Sequence, residues 1–285
     1  MKNKPLVSII IPTYNEEKEI SNCLRSLTAQ SYTPQEIILV DDGSTDKTSE
    51  IISSFKFLVS SFKFLHQDHK GPGPARNLGA KEAKGEILVF VDADMTFEKN
   101  FIKDLTAPIA KGQTIGTFSK NEMVANSKNS WSVCWNINRN VPPDRMLPKS
   151  YPDQAPVFRA ILKSEFEKVG GFDATGEYTD DWSLSRKLKV KSKQVKGAVY
   201  FHKNPSSLKE VFKQARWIGK SEFISGSLIR KTRSLFFYSI PVSIFIGIYK
   251  SILNLTIYFF LFKLIYDFAI WTSVLKSFLG EEKSK

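Results

Sequence analysis

The chain has 285 residues, of which 42% are hydrophobic and 25% are charged, so neither disorder nor a fibrous repeat describes the whole chain. Its length allows one large domain or two small ones. The two cysteines, Cys23 and Cys134, cannot form a disulfide framework, and neither has a His or Cys nearby at metal-ligand spacing. This composition excludes a zinc module and fits a reducing, cytosolic setting.

The net charge of +12 is concentrated in one window of the sequence. Residues 185–233 hold fourteen Lys or Arg and only two acidic residues. Such a window is typical of a solvated basic surface, a nucleic-acid contact or an anionic membrane contact. It lacks the interleaved aromatic residues of a base-stacking platform and leads into an apolar tail. We therefore expect an anionic membrane surface, and no nucleic acid, as a partner.

Strand-like and helix-like segments alternate through the first hundred residues. Apolar, β-branched runs predict buried strands at Leu6–Ile11, Glu36–Val40, Phe62–His66 and Glu86–Val91. Helical patterns lie between them, at Glu17–Ala29, after the DDGSTD turn and at Gly71–Lys84. Of two near-identical heptapeptides, we interpret Ser60–His66 as a strand and Ser53–Val59 as a helix end or loop. The series predicts an α/β fold with a mostly parallel, Rossmann-like sheet and helices on both faces.

Polar residues follow three of these strands. They are Pro12 to Glu16, Asp41 to Ser44, and Asp92 to Asp94. Open α/β sheets bind ligands beyond the carboxyl ends of their strands. No strand leads into a G-x-G-x-x-G or G-x-x-x-x-G-K-[ST] loop, which argues against a dinucleotide oxidoreductase and a P-loop ATPase. The acidic strand ends instead favour a divalent metal that holds a phosphate-bearing ligand.

Asp92 and Asp94 are the best candidates for metal ligands. They lie two residues apart at the end of the fourth strand, so both side chains can point the same way. Two such carboxylates can hold one Mg²⁺ or Mn²⁺, and the metal can bridge a diphosphate. The alternative is a solvated turn without a ligand.

Six motifs occur in an order that resembles the family-2 inverting glycosyltransferases of GT-A fold. They are VSIIIPTYNEE (Val7–Glu17), EIILVDDGSTDKT (Glu36–Thr48), KGPGPARNLGA (Lys70–Ala80), GEILVFVDAD (Gly85–Asp94), VGGFD (Val169–Asp173) and TDDW (Thr179–Trp182). The resemblance covers residues 5 to about 220. The C-terminal apolar tail also resembles that of membrane-associated members.

The resemblance implies a role for individual residues. The nucleotide pocket would be lined by Pro12, Thr13, Tyr14, Glu16, Asp41, Arg76 and Asp92, with Asp41 facing the base. Asp94 would hold the metal with Asp92. The acceptor side would be shaped by Phe172, Asp173 and Trp182. The second acid of the acidic pair, Asp181, would be the catalytic base, with Asp180 beside it.

The chain departs from the family pattern in three places. The first acid of the pair is Asp180 rather than Glu, and Ser183 stands where a further acid is usual. The Q-x-x-R-W motif of processive synthases is incomplete, because Lys213 replaces its Gln before Arg216 and Trp217. This last departure puts processive polymer synthesis in doubt.

Several of these residues have a structural alternative. Asp180 and Asp181 precede a helical WSLSRKL segment and can cap it. His202 follows the apparent strand Val199–Phe201, where it either completes the metal site, as a late His does in similar enzymes, or bonds to backbone. Arg159 either contacts a phosphate or bridges two surface elements.

The last fifty residues are apolar but interrupted by charge. Fifteen uncharged residues run from Leu235 to Tyr249, and Lys250, Lys263 and Asp267 break the remainder. A spanning helix needs about 20 apolar residues. Two arrangements in a membrane fit, a helical hairpin or amphipathic helices in the interface, and a buried helical pair of a soluble domain is the alternative.

We therefore expect a GT-A catalytic domain at residues 1–233, with a nucleotide-sugar half at 1–94 and an acceptor half at 95–233. Residues 234–285 are expected to anchor it to the cytoplasmic face of the cell membrane. The expected activity is inverting, metal-dependent transfer of a sugar from a nucleotide-diphospho-sugar to a glycan or lipid-linked acceptor, in cell-envelope glycan or glycolipid synthesis. The alternatives are a polyprenyl-phosphate sugar synthase and a non-catalytic nucleotide-sugar binder.

Overall fold

The computed structural model describes residues 4–55, 61–173, 180–223 and 227–278. The side chains of Asp180 and of residues 220–223 are outside this description. Most of the first of the two near-identical heptapeptides, Ser53–Val59, is outside it as well. The second heptapeptide contains the predicted strand Phe62–His66.

An eight-stranded mixed sheet forms the centre of the fold. Its strands, in spatial order, are β3 (Phe62–His66), β2 (Gln35–Asp41), β1 (Val7–Thr13), β4 (Ile87–Phe90), β9 (Ala160–Leu162), β6 (Gly116–Ser119), β10 (Ser192–Val195) and β8 (Gln154–Ala155). The first four strands are parallel, as the sequence predicts. β9 runs antiparallel to both its neighbours.

A second sheet has three strands. It consists of β5 (Met95–Phe97), β11 (Tyr200–His202) and β7 (Glu122–Val124), with β11 in the centre. His202 pairs with Met95 in this sheet, so it lies within the last predicted strand rather than after it.

The helices of the described chain fall into two groups. Those between the strands are α1 (Ile20–Thr28), α2 (Thr48–Phe55), α3 (Pro72–Glu82), α4 (Phe101–Ala110), α6 (Lys163–Lys168) and α7 (Ser183–Leu188). The others are α5 (Ser130–Arg139), α8 (Leu208–Phe223), α9 (Leu228–Phe237), α10 (Ile240–Leu253) and α11 (Tyr258–Phe278).

The alternation of side chains along β1 explains why helices cover both faces of the large sheet. Ile9 and Ile11 point into a core shared with α1, α2 and α4. Ile10 points the other way, into a core shared with α3, α6 and α7. Successive side chains of a strand leave opposite faces, so an unbroken apolar strand is buried on both. The predicted fold class is confirmed.

The chain forms two compact units. The sheet unit comprises Met1–Met123 and Lys149–His202, and the helical unit comprises Val124–Pro148 and Lys203–Lys285. Composition and the expected membrane association place a boundary at residue 233, and this boundary stays a prediction.

One helix of the described chain, α11, is long and apolar enough to cross a membrane. The bent pair α9 and α10, which meet at 55°, passes the same test only when the two are counted together. Within the helical unit, 44% of the most apolar stretch of α11 is buried.

Candidate active site

The carboxyl ends of the parallel strands bring the predicted nucleotide residues together. Thr13 and Asp41 are register partners at the ends of β1 and β2, and the Asp42 amide donates to the Thr13 carbonyl at 2.8 Å. Pro12 and Thr13 are buried, whereas Tyr14 is exposed and its ring stacks on His69, with 4.0 Å between centroids. An exposed aromatic pair of this kind offers a flat surface for a planar ligand.

The Asp41 carboxylate is buried and fully engaged. It accepts hydrogen bonds from the Ser44 amide at 3.1 Å and from the Ser49 hydroxyl, and it lies 3.2 Å from His66 Nδ1. Burial by itself would raise the pKa of Asp41, but these hydrogen bonds outweigh it and lower the pKa. Asp41 is therefore a fixed anion at the strand end.

The neighbouring Asp42 has a role that the sequence analysis missed. Its carboxylate accepts from the amides of Lys70 and Gly71 at 2.9 and 2.8 Å, and His69 Nδ1 lies 2.9 Å away. These bonds tie the loop before α3 to the end of β2. The doubled acid in DDGS was the only available signal, since the partners are nearly thirty residues away.

A network of two arginines and two aspartates forms the centre of the site. Arg76, which is buried on α3, donates from Nη2 to Asp92 Oδ1 at 2.8 Å and from Nη1 to Asp181 Oδ1 at 2.5 Å. Arg159 Nη1 donates to the other oxygen of Asp92 at 3.1 Å. Burial opposes the charge of Asp92, but Arg159 and Arg76 outweigh it and hold the pKa of Asp92 well below its usual range. The two positive and two negative groups balance.

Asp181 does not cap the helix that follows it. It lies in a 3₁₀ turn, Asp180–Trp182, and α7 begins at Ser183 without a side-chain cap bond. The Asp181 carboxylate instead reaches Arg76 and is 40% exposed. The helix-capping alternative is therefore wrong for Asp181, and its partly exposed carboxylate is open to a ligand.

Asp94 and His202 meet at a second cluster. His202 Nε2 lies 2.9 Å from Asp94 Oδ2, and His202 Nδ1 lies 3.1 Å from Glu122 Oε1. Burial opposes a charge on His202, but Asp94 and Glu122 outweigh it and raise the pKa of His202 well above its usual value. Burial, followed by the charge of Asp94, raises the pKa of Glu16 to about 8. In this cluster two carboxylates, Asp94 and Glu122, thus face one imidazole.

This cluster fits a divalent cation in its donor set. Asp94 Oδ2 and His202 Nε2 converge, and Glu122 holds the far nitrogen of the ring, as carboxylates do behind metal-bound histidines. Asp92 does not join them, because its two oxygens are held by Arg76 and Arg159. The described residues contain no ready group of three protein ligands. Part of the coordination would therefore come from phosphate oxygens and water.

Glu122 was also missed by the sequence analysis. It accepts from both His202 and the Tyr200 hydroxyl, the latter at 3.1 Å. It sits in a short strand without a motif, and its partners are about eighty residues away, so no local pattern marks it.

The three residues expected on the acceptor side are placed differently from one another. Phe172 is buried among Phe90 and Phe166, and its ring lies 5.6 Å from the Arg76 guanidinium. Asp173 pairs with α7, with Lys187 at 2.7 Å and Arg186 at 3.1 Å. Phe172 thus packs inside, Asp173 is held by basic side chains of α7, and Trp182 is exposed. A direct acceptor contact stays a prediction for all three.

Comparison with known protein families gives a consistent result. The sequence model of the family described as Glycosyl transferase family 2 matches residues 8–170, more than half of the chain. Glycosyltransferase GlyG of Streptococcus pneumoniae is 41% identical over 101 residues, which are 35% of this chain and 34% of that protein. The poly(ribitol-phosphate) beta-N-acetylglucosaminyltransferase TarS of Staphylococcus aureus is 40% identical over 103 residues, 35% of this chain and 18% of that protein. The matched region thus spans about a third or less of these relatives.

Two solved structures share the fold along nearly the whole chain. The mannosyltransferase PcManGT of Pyrobaculum calidifontis, in complex with GDP-Man and Mn²⁺, aligns with a TM-score of 0.61 and 19% identity, covering 99% of this chain and 89% of that one. Residues 1–349 of S. aureus TarS, in complex with UDP-GlcNAc, align with a TM-score of 0.56 and 19% identity, covering 96% and 92%. Both show a GT-A fold, and at these identities the likeness concerns the fold alone.

Proposed function

Because this chain belongs to glycosyl transferase family 2, and is a glycosyltransferase, we propose that it transfers a sugar with inversion, in a metal-dependent reaction. The donor is a nucleotide-diphospho-sugar and the acceptor is a hydroxyl of a cell-envelope glycan or glycolipid. The observation that carries the proposal is the Arg76 bridge, which holds the candidate base Asp181 beside the strand-end acid Asp92. A base and a donor site must be adjacent for in-line displacement.

The chain's own residues account for the proton and for donor binding. Asp181 accepts the proton of the acceptor hydroxyl while the oxygen of that hydroxyl bonds to the anomeric carbon. The bond from that carbon to the diphosphate breaks, and the nucleoside diphosphate leaves with the electron pair. Asp41 and Tyr14 hold the nucleoside, while Arg159 and Arg76 keep Asp92 anionic at the ribose and diphosphate.

Asp94 and His202 are the residues that would hold Mg²⁺ or Mn²⁺. When bound, the metal neutralises charge on the leaving diphosphate. The GDP-Man and Mn²⁺ complex of PcManGT supports this assignment by its shared fold. Asp94→Ala is expected to abolish Mn²⁺-dependent binding of UDP or GDP in calorimetry. An unchanged metal-dependent affinity would refute the assignment.

A panel of nucleotide sugars tests the activity itself. Hydrolysis of one donor in the presence of Mn²⁺ or Mg²⁺, with release of the nucleoside diphosphate, is the expected result. Binding of a donor without any turnover, with or without added acceptors, would identify a non-catalytic nucleotide-sugar binder instead.

We further propose that the helical unit holds the enzyme at the cytoplasmic face of a membrane. One described helix is long and apolar enough to span, and the basic window precedes the apolar tail. Attachment to a membrane favours a lipid-linked acceptor. Polyprenyl phosphate is therefore the second candidate for the acceptor, after the hydroxyl of a glycan or glycolipid. Competition between a polyprenyl phosphate and a soluble glycan as acceptor distinguishes the two.

A further inference from the structure

The apolar and polar faces of helix α10 are exchanged compared with those of a surface helix in a soluble protein. Its large apolar side chains face outward, among them Ile244, Phe245, Ile248 and Ile252, and Phe245 and Ile252 are 72% and 69% exposed. A surface helix in water turns this stripe toward the core and its polar residues outward. An exposed apolar area of this kind marks a site of interaction.

The inner side of α10 carries the small and polar residues. Ser243 and Gly247 are buried, and the Ser243 hydroxyl donates to Asp267 of α11 at 2.7 Å. A Cβ atom at Gly247 would lie 3.1 Å from the Phe260 ring, so the small residue permits close packing of α10 on α11. The reversed pattern is therefore part of a packed interface and not a frayed helix.

The charged residues that interrupt the apolar tail also point inward. Lys250 Nζ donates to the Ile137 carbonyl at 2.9 Å and to Asn140 Oδ1 at 2.7 Å. Lys263 Nζ pairs with Asp267 Oδ1 at 2.8 Å, and both are buried. The outer surface of the two helices is thus uninterrupted by these three charges.

The apolar surface continues through the turn between α10 and α11. Leu255 and Ile257 in this turn are 94% and 82% exposed. We name Ile244, Phe245, Ile248, Ile252, Leu255 and Ile257 together the apolar ridge.

Helix α11 is the inner helix of the unit. It packs along α8, where the Ser273 hydroxyl donates to the Arg216 carbonyl at 3.1 Å and a Cβ at Gly219 would lie 2.8 Å from Ser273 Cβ. The opposite side of α8 exposes Lys209 and Lys213. A helix fixed lengthwise to a charged, water-exposed helix cannot enter hydrocarbon without it.

Neither α9 nor α10 spans a membrane alone. The 14 residues of α10 extend over about 21 Å at 1.5 Å each, against a hydrocarbon core of about 30 Å. The adjoining α9 bends away by 55° and carries Lys231 and Arg233. Cations beside an apolar surface complement the headgroups of an anionic leaflet.

We propose that the apolar ridge inserts into one leaflet of an anionic membrane, with α10 in the interface plane and α11 as an internal helix of the unit rather than a span. The inference rests on the membrane association proposed above and adds its surface and its depth. Of the two membrane arrangements that fit the sequence, the proposal selects the interfacial one over the transmembrane hairpin.

Depth measurements test the proposal on the full-length protein. Cys23 and Cys134 are both buried, so a single exposed cysteine can be labelled with an environment-sensitive dye. Phe245→Cys and Leu255→Cys sample the ridge. Phe268→Cys samples the middle of α11, where Phe268 is 50% exposed and its ring centroid lies 6.4 Å from that of Phe212 on α8.

The vesicles contain phosphatidylcholine with a minority of anionic phosphatidylglycerol. We expect the dyes at 245 and 255 to shift to the blue and to be quenched by shallowly brominated lipids, and the dye at 268 to remain in water. Deep quenching at 268 would show that α11 spans the bilayer. No quenching at any position would show that the ridge does not contact lipid.

Variants of the ridge give an independent measurement. Phe245→Ser with Ile252→Ser should lower vesicle binding in high salt by about tenfold or more, whereas Phe268→Ser should not. Circular dichroism verifies that each variant is folded. If the wild-type protein is instead a stable dimer that the double substitution dissociates, the ridge binds a second copy and the proposal is wrong.

These results are separable from the proposed activity. Vesicle binding needs no turnover, and calorimetry with UDP or GDP should give the same affinity for the ridge variants as for the wild type. Loss of nucleotide binding in Asp94→Ala with normal vesicle binding would concern the enzyme alone.

Discussion

The sheet unit and the C-terminal helices place charge in opposite ways. In the sheet unit, apolar strands such as β1 are buried on both faces, and carboxylates gather at the strand ends. In α10 the apolar side chains are outside and the polar ones inside. Apolar side chains turn away from water, so the burial of β1 fits an aqueous surrounding, and the outward-facing apolar side chains of α10 fit the proposed contact with lipid.

Each region also neutralises its charges internally, but with a different degree of exposure. At the site, Asp92 and Asp181 are 30% and 40% exposed although both contact Arg76. On α11, the side chains of Lys263 and Asp267 are 9% and 1% exposed. An ion pair open to solvent can exchange partners with a ligand, whereas a sealed pair is structural.

The largest expected effect comes from removing one partner of the buried ion pair of Lys263 and Asp267. Lys263→Met should lower the free energy of unfolding by about 3–5 kcal/mol, because Asp267 is left buried without its cation. Thermal or urea unfolding in detergent, followed by circular dichroism, measures the change. The matched variant carries Lys263→Met together with Asp267→Leu and should recover most of the loss. If the double variant is as unstable as the single one, the pair is needed for more than charge compensation.

In the partly exposed network of Arg76, Asp92 and Asp181, the expected effect is on turnover. Asp181→Asn should lower kcat by about 10² or more, since an amide cannot accept the hydroxyl proton, while donor affinity changes little. Steady-state kinetics and calorimetry separate the two. Asp153→Asn is the matched control, because Asp153 is an exposed aspartate outside the site that pairs with Lys120. Near-normal turnover in Asp181→Asn would move the base to another residue.

The sequence predicts the parallel strands and the residues at their ends because both depend on local patterns. β-branched runs bounded by turns mark β1, β2 and β4, and polar residues follow them directly. Tertiary partnerships are not local, so no motif marks Glu122 behind His202, and the doubled acid in DDGS marks Asp42 without indicating its loop partners. The direction of Lys250 depends on packing against α5 and equally could not be read from the sequence.

Removing the support of the proposed metal site should have an intermediate effect. Glu122→Gln should lower Mn²⁺-dependent affinity for a nucleoside diphosphate by about 10–100-fold, because Glu122 orients the His202 ring. Calorimetry with and without Mn²⁺ measures the change. Glu82→Gln, which removes a surface partner of Lys63, is the control for loss of one acid. A metal-independent loss of affinity in Glu122→Gln would point to a folding defect instead.

The smallest expected effect separates two roles of Arg76. The family resemblance implies that Arg76 approaches the nucleotide, whereas the structure has its two terminal nitrogens on Asp92 and Asp181. A lysine has one ammonium group and cannot reproduce this planar bridge, although it keeps the charge. Arg76→Lys should therefore lower kcat by about tenfold through misplacement of Asp181, with little change in donor KM. Arg159→Lys, which alters the other contact of Asp92 and leaves Asp181 on Arg76, should instead raise donor KM. If Arg76→Lys raises donor KM and leaves kcat unchanged, Arg76 binds the nucleotide, and the bridge between the two aspartates gives way when the donor arrives.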